Sequence, residues 1–429
     1  MSPAFSSLRI RNYRLFAAGQ LVSLTGTWMQ RVAQDWLVLE LSGNSGTALG
    51  ITTGLQFLPM LLFGLYGGVL ADRYPKRRLL LIAQVAMGLL ALTLGVLTVT
   101  GVVELWHVYA LAFGLGVASV IDTPTRQAFA VELVGKEDLP NAVSLNSATF
   151  NAGRVLGPAI AGLLINVMGT GPVFLLNAAS FLAVLVGLLR IRTNELHAAK
   201  RVPRAPGQLR DGLRYVRRRP ELLWPIVLVA VIGTFGLNFQ ITTALVAKLV
   251  FHRGAGSYGL LGSALAFGSL FGALLSARRG VPRQRLLLGA ALAFGLLEIA
   301  VGLMPTYHSF LLLLVPTGFA VLTFTTAANA SIQLASSAAM RGRVMALYVL
   351  VFLGGTPVGA PVIGWLASSY GARWSLIGGG SISAVATLLV GWALLRARRL
   401  RVVTRLHSRP HVYVEPVPEA RSLDEARSA

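Results

Sequence analysis

At 429 residues the chain is 55% apolar and only 13% charged, with 46 Gly, whereas a soluble domain carries about a quarter charged residues. A soluble fold is therefore excluded. With no Cys and six scattered His, it can form no disulfide, use no thiol and offer no metal-ligand spacing. The formal charge of +22 implies no nucleic-acid partner, because thirty-three of the 38 Lys and Arg fall in alternate gaps between apolar runs. That sorting is the mark of basic loops retained on one side of a membrane.

The runs lie at 15–41, 47–71, 79–99, 105–128, 141–168, 172–189, 222–250, 257–277, 286–304, 309–334, 344–367 and 374–395. A helix needs about 20 apolar residues to cross the hydrocarbon core, so twelve spans are expected, with both termini cytoplasmic. The expected fold is an all-α polytopic membrane protein of twelve transmembrane helices in two six-helix bundles related by pseudo-symmetry. The bundles would occupy 1–189 and 221–396, joined by a basic cytoplasmic linker at 190–220 and followed by a disordered tail at 397–429.

The first run follows Arg9, Arg11 and Arg14 as a signal peptide would, but it is too long and lacks a small-residue cleavage site. It is expected to stay as a span. Gln20, Ser23, Thr27, Gln30, Arg31, Gln34 and Asp35 recur along it at three- and four-residue spacing, which puts a polar stripe on one face. A face of that kind belongs on a water-filled cavity rather than in lipid. Arg31 and Asp35 stand four apart and can pair along the helix. Ionisable groups at this depth cost about 2.5–3.5 kcal/mol each and mark transport paths. Asp35, tuned by Arg31, is the candidate proton carrier, and a structural ion pair is the alternative.

After the second run, Asp72 can accept charge-assisted hydrogen bonds from Arg73, Lys76 or Arg77. Contacts that form in one conformation and break in the other would act as a latch. The fifth run holds Gly153, Gly157 and Gly162 around Pro158. Small residues four apart let backbones approach, and the proline can bend the helix. Arg154, beside them, could attract an anionic or catecholic solute or neutralise a nearby acid. The linker places Leu209, Leu213 and Val216 on one face among Arg210, Arg214, Arg217 and Arg218, as in a helix lying on anionic headgroups. In the second half, Asn238, Gln240, Thr243, Thr325 and Asn329 would give an uncharged cavity lining. Glu298 is the acid of the ninth run. Trp28, Trp36, Phe235 and Phe239 could hold a flat ligand.

The halves repeat. Gly153, Gly157, Gly162 and Gly169 recur 202 residues later as Gly355, Gly359, Gly364 and Gly371. Pro75-Lys76-Arg77-Arg78-Leu79-Leu80-Leu81 recurs as Pro282-Arg283-Gln284-Arg285-Leu286-Leu287-Leu288. Repeated halves with a midplane site between them are the architecture of secondary transporters.

The loop from Gly68 through Asp72, Arg73, Lys76 and Arg77 resembles the Gly-x-Leu-Ala-Asp-Arg-x-Gly-Arg-Lys signature of the major facilitator superfamily, with Pro75 where that signature has glycine. Gly153-x-x-x-Gly157-Pro158-x-x-x-Gly162 resembles the antiporter motif of its drug–proton exchangers. Asp122 through Phe129, Asn146 through Gly162, Gly212 through Pro220 and Arg341 through Val344 look like the bacterial branch of enterobactin exporters and macrolide efflux proteins.

The resemblance implies a proton-coupled exporter of a small amphipathic compound, such as a drug or siderophore, in the bacterial inner membrane. A lipid or lysolipid flippase, or an importer, is the alternative on the same scaffold. It also implies Asp122 as a partner for the basic cluster around Asp72, and a peripheral, hydrogen-bonded role for Glu298. Substrate-cavity candidates are Gln20, Thr27, Gln34, Arg154, Asn238 and Asn329. No cofactor or metal is expected; protons and membrane lipid are, around a monomer. An intramembrane enzyme would need a nucleophile–base or metal constellation, and a primary pump would need a P-loop. The sequence has neither.

Overall fold

The computed structural model describes residues 3–135, 137–197, 208–278, 284–338, 340–397, 400–405 and 411–416. Lys136, Arg279, Pro282 and Arg283, linker residues 198–207 and tail residues 398–399, 406–410 and 417–429 lie outside the described residues, as does the side chain of Leu209.

The first half comprises α1 (Arg11–Leu41), α2 (Gly46–Arg73), α3 (Lys76–Val99), α4 (Leu105–Val134), α5 (Leu139–Met168) and α6 (Thr170–Leu189). A short linker helix α7 (Gln208–Arg217) leads into α8 (Pro220–Val231) and α9 (Phe239–Leu245), then α10 (Ala255–Arg278) and α11 (Gln284–Leu303). The chain continues through α12 (Tyr307–Ala335), α13 (Arg341–Gly354), α14 (Thr356–Tyr370) and α15 (Ala372–Ala397). Among the described residues, eleven stretches are long and apolar enough to cross a membrane. At 31 residues α1 has the length, but its polar stripe keeps it out of that set.

Two of the eleven stretches are broken helices. Pro220–Val250 is α8 and α9 with π-helical turns at Ile232–Gly236 and Val246–Val250. Arg341–Tyr370 is α13 and α14, interrupted at Gly355 ahead of Pro357. Extra residues in a turn of this kind re-aim the side chains that follow and often mark functional positions.

Within the first half α1 packs on α5 and α6, α2 on α4, and α3 on α4 and α6. Within the second, α10 and α11 pack on α12, and α15 packs on α11 and α8. The halves meet chiefly through α2 on α14 and α5 on α10.

The repeat reappears in these two crossings. A Cβ on Gly50 would be driven into the carbonyl oxygen of Ala360, and one on Gly259 into that of Pro158. Pro158 and Ala360 are themselves 202 residues apart. At the helix ends the equivalence holds again: Gly169 closes α5 at φ +79° and Gly371 closes α14 at φ +101°. A side chain would be strained at either.

These crossings sit toward the end of the molecule that carries the α1–α2 loop. There Gly46 packs so closely that an added Cβ would lie 2.6 Å from the Gly364 carbonyl oxygen. The Thr47 backbone N–H donates to Ser368 Oγ at 3.1 Å, and the Gly256 N–H donates to Asn166 Oδ1 at 3.4 Å. Deeper in, Ser263 Oγ donates to the Val155 carbonyl at 2.7 Å. The seam is closed at the loop end.

α7 docks on the second half. Val216 is buried, Asp211 pairs with Arg343 at 3.4 Å, and Tyr215 Oη accepts from the Ser337 N–H at 3.2 Å. Leu213 and Arg210, Arg214, Arg217 and Arg218 are exposed. The apolar face expected from spacing is thus divided, because Val216 is taken by the underlying helices and Leu213 is not.

Leu400–Arg405 pairs antiparallel with His411–Pro416.

Candidate functional site

The stripe on α1 is shared among several neighbours. Gln20 accepts from Arg126 on α4 at 3.2 Å, Gln30 accepts from Asn177 on α6, and Gln34 donates to Gln56 on α2 at 3.3 Å. The Thr27 hydroxyl bonds back to the Ser23 carbonyl. Most of the stripe is buried against protein. This corrects the expectation that it lines a watery cavity, and the reason is that α1 is enclosed by α5, α6 and α2.

Asp35 faces the other half. Only 1% exposed, it accepts at Oδ2 from Gln240 Nε2 at 2.7 Å and from the Tyr258 hydroxyl at 2.6 Å. Its Oδ1 has no partner. Gln240 comes from α9, just after the first π turn, and Tyr258 comes from the start of α10. The expected Arg31–Asp35 pair along the helix does not form. Instead the Arg31 guanidinium lies over the Trp28 ring at 4.6 Å and near Phe57 at 5.9 Å, the arrangement of a cation–π contact.

Arg31 opens onto a cavity of about 370 Å³ lined by both halves. Arg154 and Asn238 line it, together with Trp28, Phe57, Phe239, Gln240, Tyr258 and Phe352. The second-half lining is uncharged. Gln20, Thr27, Gln34 and Asn329 are not part of it. Gln20 sits in a crevice between α1, α4 and α5, and Asn329 is held by Gln333 one turn further along α12 at 2.6 Å. Trp36 stacks on Tyr258 behind the wall, with Lys248 4.6 Å over its ring. Glu298 is buried away from the cavity. Its Oε2 has no partner, against the expectation of a hydrogen-bonded acid.

In the loop after α2, two of the basic residues have partners on other helices of the first half. Arg77 donates to the carbonyls of Leu188 and Leu189 at 2.7 and 3.0 Å, satisfying the open C-terminus of α6. Lys76 pairs with Glu132 on α4 at 2.7 Å. Asp122 is occupied by Gln84 at 2.7 Å and Arg126 at 3.5 Å. It is therefore not bound by Lys76 or Arg77, because it lies several turns inside α4, among other partners. Asp72 and Arg73 are exposed at the end of α2. Gly67, the residue before Gly68, allows the close approach of α2 to the Val120 carbonyl of α4.

Lys76–Glu132 is a partly buried, charge-assisted bond, a type worth about 1.5–3 kcal/mol. Glu132→Gln is expected to lower the thermal midpoint in detergent. The double variant with Lys76→Met should melt no lower than the worse single variant; fully additive losses would show that the two side chains act independently.

The glycine motif of α5 has two working faces. Gly153 and Gly157 bring α5 onto α1, where a Cβ at 157 would lie 2.5 Å from Trp28 Cβ. Gly162 faces α10 of the other half, 2.8 Å from the Ala255 carbonyl oxygen by the same measure, and the carbonyl of Pro158 meets Gly259. The motif fixes the floor of the cavity and the interhalf seam together.

Sequence reasoning missed Tyr258 and Glu132. A hydroxyl between Gly256 and Gly259, in a run otherwise made for close packing, was the available signal for Tyr258. Glu132 looked like one more loop charge.

Long apolar helices from two repeats, enclosing a charged cavity closed at one end, are the build of a membrane transporter rather than an enzyme. The chain belongs to the transmembrane secretion effector family of the major facilitator superfamily, which it matches over residues 2–428. It is 27% identical over 368 residues to the multidrug efflux pump Tap of Mycolicibacterium fortuitum, covering 83% of this chain and 89% of Tap. It is 27% identical over 397 residues to the enterobactin exporter EntS of Escherichia coli O81, covering 89% and 91%. The staphyloferrin A transporter of Staphylococcus aureus is 33% identical over 177 residues, 41% of this chain and 44% of that one, so the match spans less than half of that relative. In fold it is similar to a bacterial homolog of the human lysosomal transporter Spinster in an inward-facing, unoccupied conformation, with TM-score 0.68, 16% identity and coverage of 92% and 98%. It is also similar to the nucleoside transporter NupG, with TM-score 0.72, 11% identity and coverage of 90% and 99%.

Proposed function

We propose that the protein is a proton-coupled exporter of a small amphipathic compound, working by alternating access of two six-helix bundles, with α1 as the twelfth span. The observation that carries this reading is Asp35, a buried carboxylate of one half held by Gln240 and Tyr258 of the other. Efflux is supported by the relatives named for drug and siderophore export.

On the positive-inside rule the termini are cytoplasmic, the closed loop end faces outward and the cavity faces the cytoplasm of a bacterial inner membrane. Charged Asp35 holds the outer seam through hydrogen bonds roughly twice as strong as neutral ones. Solute entering from the cytoplasm favours rocking, which breaks both bonds and opens Asp35 to the outside. There it takes a proton as the solute leaves. Neutral Asp35 permits return, and the proton is released inward before Tyr258 and Gln240 re-engage the carboxylate. Each ligand shifts the equilibrium only by its differential affinity for the two states. The unit is a monomer, with the exposed arginines of α7 on anionic headgroups.

The test is proton flux in liposomes holding the purified protein, challenged in parallel with a catechol siderophore, a macrolide and a lipophilic cation. Compound-dependent proton movement is expected with at least one. Movement of a compound with no accompanying proton flux sinks the antiport.

A further inference from the structure

We propose that the cavity recognises its solute as an organic monoanion with a flat aromatic body, held between the guanidiniums of Arg31 and Arg154. This rests on the transporter reading above and adds the charge and shape of the cargo.

Among the described residues lining the cavity, Arg31 and Arg154 are the charged ones. Neither stands within ion-pair distance of an acid among the described residues, and their charges are close enough to act on each other. Arg31 Nε is buried without a hydrogen-bond partner, while the rings of Trp28 and Phe57 fix its guanidinium plane. The acid whose charge reaches Arg31 is Asp35, and its Oδ2 is already taken by two neutral donors from the opposite half.

A buried cation is costly unless a counter-charge and hydrogen-bond acceptors reach it. Two guanidiniums against one carboxylate leave the site one negative charge short. A monoanion supplies it. Planar guanidinium forks match carboxylate oxygens in bidentate geometry, and Trp28, Phe57, Phe239 and Phe352 offer ring faces around them. A volume of about 370 Å³ lies in the range of small-molecule sites. A cationic amphiphile would meet two like charges with Asp35 set back behind Gln240 and Tyr258, so this cavity disfavours it.

The test measures equilibrium binding to the full chain in detergent, with no gradient, using tryptophan fluorescence and ring-matched probes. Benzoate, 1-naphthoate and 1-pyrenecarboxylate are each compared with the corresponding carboxamide and methylammonium. At least one carboxylate is expected to bind tighter than both of its matched probes by roughly tenfold or more. Arg154→Gln and Arg31→Gln should each lose that margin while still melting in one cooperative transition, and Arg154→Lys, which keeps the charge, should retain most of it. Failure of all three carboxylates to bind overturns the proposal. So does a methylammonium that binds equally well, or anion binding untouched in both glutamine variants. Carboxylate binding without proton flux would refute the exporter mechanism but leave this assignment standing, and proton-coupled flux of a cation would do the reverse.

Discussion

Asparagine at position 35 is expected to leave the protein folded and able to bind solute while reducing proton-driven transport to the level of empty vesicles. The amide is nearly the shape of the carboxylate and can still accept from Tyr258 or Gln240, so the packing between α1, α9 and α10 survives. What it loses is the charge and any means of carrying a proton. Tyr258→Phe is the graded companion, because it removes one of the two interhalf bonds at Asp35. A charge-assisted bond of about 1.5–3 kcal/mol corresponds to a shift of roughly ten- to a hundredfold between the two conformations. Slower but still coupled transport is therefore expected from Tyr258→Phe. Wild-type proton flux in Asp35→Asn would remove Asp35 from the cycle.

The second large effect is a lock. Thr47 and Ser368 meet across the loop-end seam with their hydroxyl oxygens 3.4 Å apart, and the chain has no cysteine of its own. In the double variant Thr47→Cys/Ser368→Cys, oxidation is expected to bridge the halves, given that a disulfide needs Cβ atoms about 3.5–4.5 Å apart. Transport should then stop and return on reduction, while either single variant is indifferent to oxidant. Adding Gly50→Val, whose side chain would press on the Ala360 carbonyl, should slow cross-linking, because overpacking costs about 1–3 kcal/mol. Undiminished transport through the oxidised double variant would mean that this seam does not open during the cycle.

Much of this was legible in the sequence, for identifiable reasons. Hydropathy and the sorting of basic residues located the helices, and the glycine spacing located the close crossings of α5 and α14. The partners of the polar residues were harder to read. Helical periodicity says which residues share a face but not what that face meets, so Gln20, Gln30 and Gln34 were assigned to one cavity and are instead held by α4, α6 and α2. The four-residue spacing of Arg31 and Asp35 favoured a local pair. Aromatic faces on one side and two donors from the other half outcompeted it. Tyr258 lies more than two hundred residues from Asp35, and no local pattern brings them together. Asp122 was joined to the basic loop by resemblance alone, whereas Gln84 and Arg126 were its nearer partners.

The contrast between the two ends of the molecule has an electrostatic consequence. Among the described residues, the hydrogen bonds joining the spanning helices across the loop-end seam involve backbone, hydroxyl and amide groups, with Asp35 as the one ionisable acceptor. Closing the opposite end would bring together surfaces that both carry arginine and lysine. Where those basic residues outnumber their acidic partners, that end is expected to resist closing, less so wherever dissolved ions or anionic headgroups screen it over about 8–10 Å. The loop-end contacts are short-ranged and mostly neutral, so screening scarcely touches them. If the halves rock as proposed, ionic strength is expected to act on one gate and spare the other, so the balance between inward and outward states should shift with the solution and the lipid around the basic end.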